Sequence, residues 1–220
     1  MIHQDPSAAE RFRIALDALP LVAILRGITP PEAAPIGQAL REAGFRLIEV
    51  PLNSPQALDS IRQLAAHLPD CLVGAGTVLE ARDVWSVHEA GGRLVVAPNF
   101  DAAVVAEART AAMAVVPGVA TPSEAFAALK AGATALKLFP AEAIPPEVLR
   151  AWRAVLPSAV ALLPVGSIVP ERIAGYRAAG ASGFGLGSAL YRPGDDARAV
   201  GERARRFVAA WDAANGRFTA

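Results

Sequence analysis

The 220-residue chain has one cysteine, Cys71, and three histidines, His3, His67 and His88. A lone thiol excludes an intramolecular disulfide framework and fits a reducing compartment. His3 falls in the N-terminal tail, and His67 and His88 fall in helical segments. No His/Cys/Asp/Glu group has ligand spacing, so neither a metal nor another cofactor is expected. Charge of one sign is missing as well, since 21 Lys and Arg balance 21 Asp and Glu. Without a dominant basic stretch, nucleic acid and anionic membrane are poor partners. Long hydrophobic runs are absent, the apolar stretches being strand-length and broken by Gly and Pro. The N-terminal MIHQDPSAAERFRIALDALP mixes both charge signs and has no apolar core, unlike a signal peptide. A cytoplasmic protein is expected.

What the chain has is apolar bulk, 53% of its residues against 19% charged, which suits a large core. Short β-rich runs alternate with Ala-rich stretches of helical period. The runs are 21–27, 45–52, 71–78, 94–99, 114–120, 133–140, 160–167 and 183–190. Such continuously apolar runs suit parallel strands covered on both faces. Between them, Thr29-Pro30-Pro31-Glu32 and Thr121-Pro122-Ser123-Glu124 pair an N-cap with a capping-box acid and helix-start prolines. Gly44, Gly91, Gly132 and Gly180 are placed as C-terminal helix stops. Units repeat about every 20–25 residues, the length of one βα step. The expectation is one domain over 1–220, a (β/α)₈ TIM barrel with an amphipathic helix at 7–18 capping its bottom. An open doubly wound sheet is the competitor, and no GxGxxG follows the first run to favour it.

Catalytic groups of a barrel project from the C-terminal ends of its strands. Those ends carry Arg26, Glu49 with Asn53, Thr77, Asn99, Lys137, Gly166-Ser167 and Gly187-Ser188. Lys137 interrupts the apolar run Ala-Leu-Lys-Leu-Phe-Pro. A lysine inside a barrel is costly to leave charged, so burial favours the free amine, the nucleophile that forms Schiff bases. The alternatives are a lysine paired with a carboxylate or one that snorkels outward, and its position near the C-terminal end of the sixth run favours the chemistry. Glu49, between Ile48 and Val50, suits a general acid/base or a structural partner for Lys137 or Arg26. The two Gly-Ser pairs are either ordinary turns or a phosphate cradle, because glycine lets backbone N–H groups approach an anion. Arg26 is a second anion clamp or a surface arginine. Cys71, Trp85, Trp152 and Trp211 read as packing.

Taken together, LRGITPPEA, IEVPLNSP, GAGTVL, VAPN, PGVATPSEA, ALKLFPAE, PVGS and GLGSALYRPG resemble the class I 2-keto-3-deoxy-6-phosphosugar-acid aldolases from about Leu21 to about Gly194. The resemblance implies that Lys137 is the Schiff-base lysine and Glu49 the general acid/base. Thr77 and Pro98 would line a pyruvate pocket with Phe139 close by, and Gly166, Ser167, Gly187 and Ser188 would hold phosphate. It also implies a homotrimer. Asn53-Ser54 after the second run, Val165 before the seventh-run glycine and Leu-Arg26-Gly resemble the galactonate branch rather than the gluconate one, the two differing at C4. The expected substrate is therefore a small phosphorylated keto sugar acid, 2-dehydro-3-deoxy-6-phosphogalactonate, cleaved to pyruvate and glyceraldehyde 3-phosphate. The gluconate epimer, dual specificity, 4-hydroxy-2-oxoglutarate and a non-catalytic phosphometabolite-binding barrel are the alternatives. The family has Gly-Gly where this chain has Gly166-Ser167. A serine there adds a hydroxyl to the phosphate or strains a position that prefers glycine.

Overall fold

The computed structural model describes residues 6–216. His3 and the first five residues of the N-terminal stretch lie outside that range. Helix α1 (Ala8–Ala18) starts at a reciprocal cap, in which Glu10 N–H donates to Ser7 Oγ and Ser7 N–H donates to the Glu10 carboxylate. It buries Ala8, Phe12 and Ala15 along one face.

Strands and helices then alternate. They run β1 (Leu21–Ile24), α2 (Pro30–Glu42), β2 (Leu47–Pro51), α3 (Ala57–His67), β3 (Leu72–Gly76), α4 (Ala81–Glu89), β4 (Leu94–Val96), α5 (Ala102–Thr110) and β5 (Ala114–Val116). After β6 (Gly118–Val119) come α6 (Pro122–Ala131), β7 (Leu136–Leu138), a 3₁₀ turn (Ala141–Ala143), α7 (Pro146–Arg153), β8 (Leu162–Pro164), α8 (Pro170–Ala178), β9 (Phe184–Leu186) and α9 (Ala197–Ala214). The expected helix boundaries hold. Thr121 Oγ1 accepts from Glu124 N–H while Glu124 accepts from Thr121 N–H. Gly44, Gly91, Gly132 and Gly180 all have φ between 89° and 104°, the left-handed region that ends a helix without steric penalty in glycine.

All pairings are parallel, giving a curled α/β sheet in the order β5-β4-β3-β2-β1-β9 and a second set β6-β7-β8. A single bridge, Val165 with Gly185, joins the β8 end to β9. The run 114–120, read as one strand, is two. Pro117 separates β5 from β6, because it has no N–H to give the ladder. Its carbonyl still accepts from Lys137 N–H at 3.0 Å. Several strands are also shorter than their apolar runs. The run 183–190 stops at Leu186, after which the Gly187 carbonyl accepts from Leu190 and Tyr191 N–H and turns the chain.

Side chains alternate across the strands, as a period of two demands. Ile48 and Val50 face the helices, in the larger buried cluster with Leu21, Ala23 and Val73. Leu47 faces the other way, into an inner cluster with Val22, Leu72, Leu94 and Leu163, on which Phe12 of α1 rests. Truncating a ring buried like this one costs on the order of 3–5 kcal/mol. The same alternation puts Glu49 and Lys137 on the inner side.

Among the described residues, no helix is long and apolar enough to cross a membrane. Trp152 and Trp211 are buried as expected, whereas Trp85 is 41% exposed, set edge-on to His88 with its indole N–H donating to Glu107. Cys71 is buried just ahead of β3, and burial pushes its thiol up to about 11.

Candidate functional site

Glu49 sits in the middle of β2, opposite Ile24 of β1 and Gly74 of β3. Lys137 sits in the middle of β7, between Gly118 of β6 and Leu163 of β8. Both side chains point inward, 2% and 6% exposed, from opposite walls of the inner space. Neither was free to snorkel outward, since the outward positions on both strands are apolar. Glu49 Oε2 is buried without a hydrogen-bond partner. An orphaned buried carboxylate oxygen is costly, and such atoms concentrate at functional sites.

Burial is the main influence on both groups. It pushes the Glu49 carboxyl up to about 7, against the opposing pull of the Lys137 and Arg26 charges. It pushes the Lys137 amine down from the usual lysine range, with Glu49 opposing and Arg26 reinforcing. Each group is thus moved toward the pH at which it can both take and give a proton. The Phe139 ring lies 4.8 Å from Lys137 Nζ. Below the pair is a cavity of about 20 Å³, walled by Phe12, Val22, Val165 and Gly185 beside Glu49 and Lys137. Apart from those two groups its walls are apolar, so little around the pair can solvate a charge from underneath.

Arg26 follows β1 and is exposed, yet it is not a loose surface arginine. Its guanidinium donates to Asn53 Oδ1 at 2.6 Å and, more weakly, to Thr77 Oγ1 at 3.4 Å. The next residue, Gly27, donates its N–H to Ser54 Oγ at 2.9 Å. The Asn53-Ser54 pair therefore holds the Arg26 side chain through Asn53 and the backbone of the next residue through Ser54. Pro98 follows β4, and its carbonyl fills the space that a Cβ on Gly118 would need, directly beside Lys137. Val165 follows β8 and covers Gly185, where an added Cβ would lie 2.6 Å from Val165 Cγ2.

A buried lysine and a carboxylate facing each other at the C-terminal half of a parallel sheet admit several chemistries, and comparison with known proteins selects among them. The family model for KDPG and KHG aldolase matches residues 13–199. This chain belongs to that family. It is a carbon–carbon lyase. A probable 2-dehydro-3-deoxy-6-phosphogalactonate aldolase of Rhizobium meliloti (strain 1021) is 48% identical over 198 residues, covering 90% of this chain and 93% of that protein. The 2-dehydro-3-deoxy-6-phosphogalactonate aldolase of Escherichia coli (strain K12) is 46% identical over 194 residues, covering 88% and 95%. The solved native KDPGal structure superposes with a TM-score of 0.88 at 46% identity, covering 90% of this aldolase and 97% of that chain.

The remaining residues of the aldolase singled out by sequence form a second group. The Gly166-Ser167 turn follows β8 and the Gly187-Ser188 turn follows β9, adjacent strand ends held together by the Val165–Gly185 bridge. Gly166 has φ 122° and Ser167 has φ 46°, so the serine does occupy a left-handed conformation that glycine adopts more easily. Its hydroxyl donates to the Glu142 carboxylate, which holds that carboxyl below its usual range. A Cβ added to Gly187 would meet nothing within 4 Å, leaving open space at that turn. Ser188 turns its carbonyl to Arg192 Nε at 3.1 Å.

Three residues of the aldolase adjoin this site without having been picked out from sequence. Ser54 stands in sequence as no more than Asn53's neighbour, and Glu142 lies within ALKLFPAE. Gly76 lay in GAGTVL. His67 and His88 occupy the last turns of α3 and α4, at the opposite ends of the strands from the site. No His, Cys, Asp and Glu grouping able to hold a metal occurs among the described residues.

Proposed function

We propose that this chain cleaves 2-dehydro-3-deoxy-6-phosphogalactonate to pyruvate and D-glyceraldehyde 3-phosphate, with Lys137 as nucleophile and Glu49 as proton carrier. The observation carrying the reading is the desolvated Lys137 amine facing a buried carboxylate whose Oε2 has no partner. The neutral amine attacks the C2 ketone and water leaves, forming an iminium. Glu49 takes the C4 hydroxyl proton, and the C3–C4 electron pair moves toward the iminium nitrogen. Glyceraldehyde 3-phosphate departs. The resulting enamine takes a proton at C3, and water hydrolyses the iminium to pyruvate and the free lysine.

Arg26, braced by Asn53, takes the negative end of the substrate through its free guanidinium N–H groups. Thr77, Pro98 and Phe139 enclose the three-carbon keto end. Gly166, Ser167, Gly187 and Ser188 take the phosphate through their backbone N–H groups. Glu142 stands beside that turn with a like charge. Replacing it with glutamine is expected to tighten competitive inhibition by inorganic phosphate severalfold; unchanged inhibition would place the phosphate elsewhere.

The same reading carries one (β/α)₈-barrel domain over 1–220 with α1 as its floor, working as a homotrimer in the cytoplasm. Its support is the βα repeat, the Val165–Gly185 bridge between the two strand sets and the family resemblance.

The test is pyruvate release from the two C4-epimeric 2-keto-3-deoxy-6-phospho acids, measured side by side with chelator present. The galactonate epimer is the expected substrate. Preference for the gluconate epimer would move the chain to the other branch with the mechanism intact. Release from neither would point to another keto acid or to binding without catalysis. Val165→Thr puts a hydroxyl where the chain has a methyl, and is expected to shift the epimer ratio toward gluconate by about 10- to 100-fold. An unmoved ratio would remove Val165 from the discrimination.

A further inference from the structure

We propose that Gly76 is a positioning residue: its missing side chain is the seat in which the Glu49 carboxylate rests. The proposal deepens the reading of Glu49 given above and rests on it for its effect on rate. A Cβ built on Gly76 would lie 1.8 Å from Glu49 Oε2, 2.3 Å from Cδ and 2.4 Å from Oε1. All three are far inside van der Waals contact, and the overlap is with the functional group itself.

The backbone at this position does not itself call for glycine. Its φ lies outside the left-handed region, unlike those of Gly27 and Gly166. It is the last residue of β3, paired with Pro51, and its carbonyl accepts from Leu52 N–H at 2.8 Å. An alanine fits ordinary strand backbone of that kind. The nearest obstruction comes from the neighbouring strand, where Glu49 turns its carboxylate across β3.

The seat also has a direction. With Gly76 bare, the carboxylate can lie against the β3 backbone. There it is within electrostatic reach of Lys137 and Arg26, the two charges that bear on it, yet hydrogen-bonded to neither. An ion pair closed onto Lys137 would hold the amine protonated and unable to attack a carbonyl. A methyl at position 76 evicts the carboxylate from the β3 side and drives it toward that pair. Gly76 thus keeps base and nucleophile apart while leaving both in one chamber.

The experiment is a double-mutant cycle on kcat with Gly76→Ala, Glu49→Gln and the double variant. A positioning role predicts that Gly76→Ala lowers kcat by on the order of 10²-fold and lowers it no further once Glu49 is already glutamine. Losses that add in full would overturn the proposal, since the methyl would then be harming something other than Glu49. A second pair, Gly76→Ala with and without Glu49→Asp, covers a single variant that fails to fold. The shorter carboxylate withdraws from the methyl, so the pair should fold together and partly restore turnover; absence of both effects also counts against the seat. If Glu49→Gln alone left kcat unchanged, the proton-carrier reading would fail by itself. Gly76 would then be judged by carbon-13 NMR titration of the Glu49 carboxyl. A displaced midpoint in Gly76→Ala upholds the seat, and an undisplaced one overturns it.

Discussion

Replacing Lys137 with alanine is expected to lower turnover by about 10⁵-fold or more, the scale on which removing a covalent nucleophile acts, while leaving the fold intact. The size of the effect follows from the mechanism's dependence on one atom. Without Nζ no iminium forms, and the C3–C4 electrons have nowhere to go. The surrounding residues can still bind substrate, so the keto acid should protect the variant against heat as it protects the parent. Borohydride in the presence of pyruvate should link the keto acid covalently to the parent at Lys137 and not to the variant. The fold should survive because Lys137 is 6% exposed and burial already works against its charge. Replacing a desolvated amine with an apolar group removes that burden, even as it opens a cavity. Substantial turnover in the alanine variant would sink the Schiff-base mechanism.

Glu49→Gln is expected to lower kcat by about 10²–10⁴-fold, and its pH signature separates it from a structural defect. On the proposed mechanism Glu49 must be ionised to accept the C4 hydroxyl proton, so kcat/KM of the parent should rise as pH passes through about 7. The glutamine variant should lose the part of that limb that belongs to Glu49. Stability should move the opposite way. The folded carboxyl is raised from its ordinary 4.5 to about 7, so the fold binds this proton more tightly than the unfolded chain does. That contribution is fully present below about 4.5 and is lost as pH rises through about 7. The glutamine variant cannot ionise, so its stability relative to the parent should increase across that window. Parallel melting curves at pH 5 and pH 8 decide the point. A variant that loses stability equally at both would mark Glu49 as a structural partner only.

Much of this site could be read from the sequence because a single charged residue in an apolar strand is conspicuous. Lys137 and Glu49 each stand out from Leu, Ile and Val neighbours, and the period of two fixes which face they share. What stayed hidden depends on register between strands. Nothing in GAGTVL says that Gly76 is bare because Glu49 lies across it; that requires knowing that β2 and β3 pair Pro51 with Gly76. The Arg26–Asn53 and Ser167–Glu142 contacts bridge 27 and 25 positions of chain, beyond any local pattern. Thr77 and Ser167 take left-handed backbone at φ 56° and 46° without a glycine to announce it. Pro117 did announce its break between β5 and β6, but the apolar residues on either side outweighed it. The closed eight-unit ring expected from the repeat is represented by two strand sets and one bridge.

Helix α1 gives the enzyme a weak point separate from its framework. The strand pairs do not pass through it, and it is tied to β1 only through Leu19 and Pro20, yet Phe12 walls the cavity beneath the lysine. Detaching eleven residues is a smaller opening than melting the strands, and partial openings of this sort are populated well below the global transition. If Lys137 is the nucleophile, each such excursion would let solvent up to Nζ and return its proton, switching the amine off while the two strand sets stay folded. On the proposed mechanism, the temperature at which activity fades should then follow how well one short helix stays docked, and thermostability of the framework and of the catalyst become two separately adjustable properties.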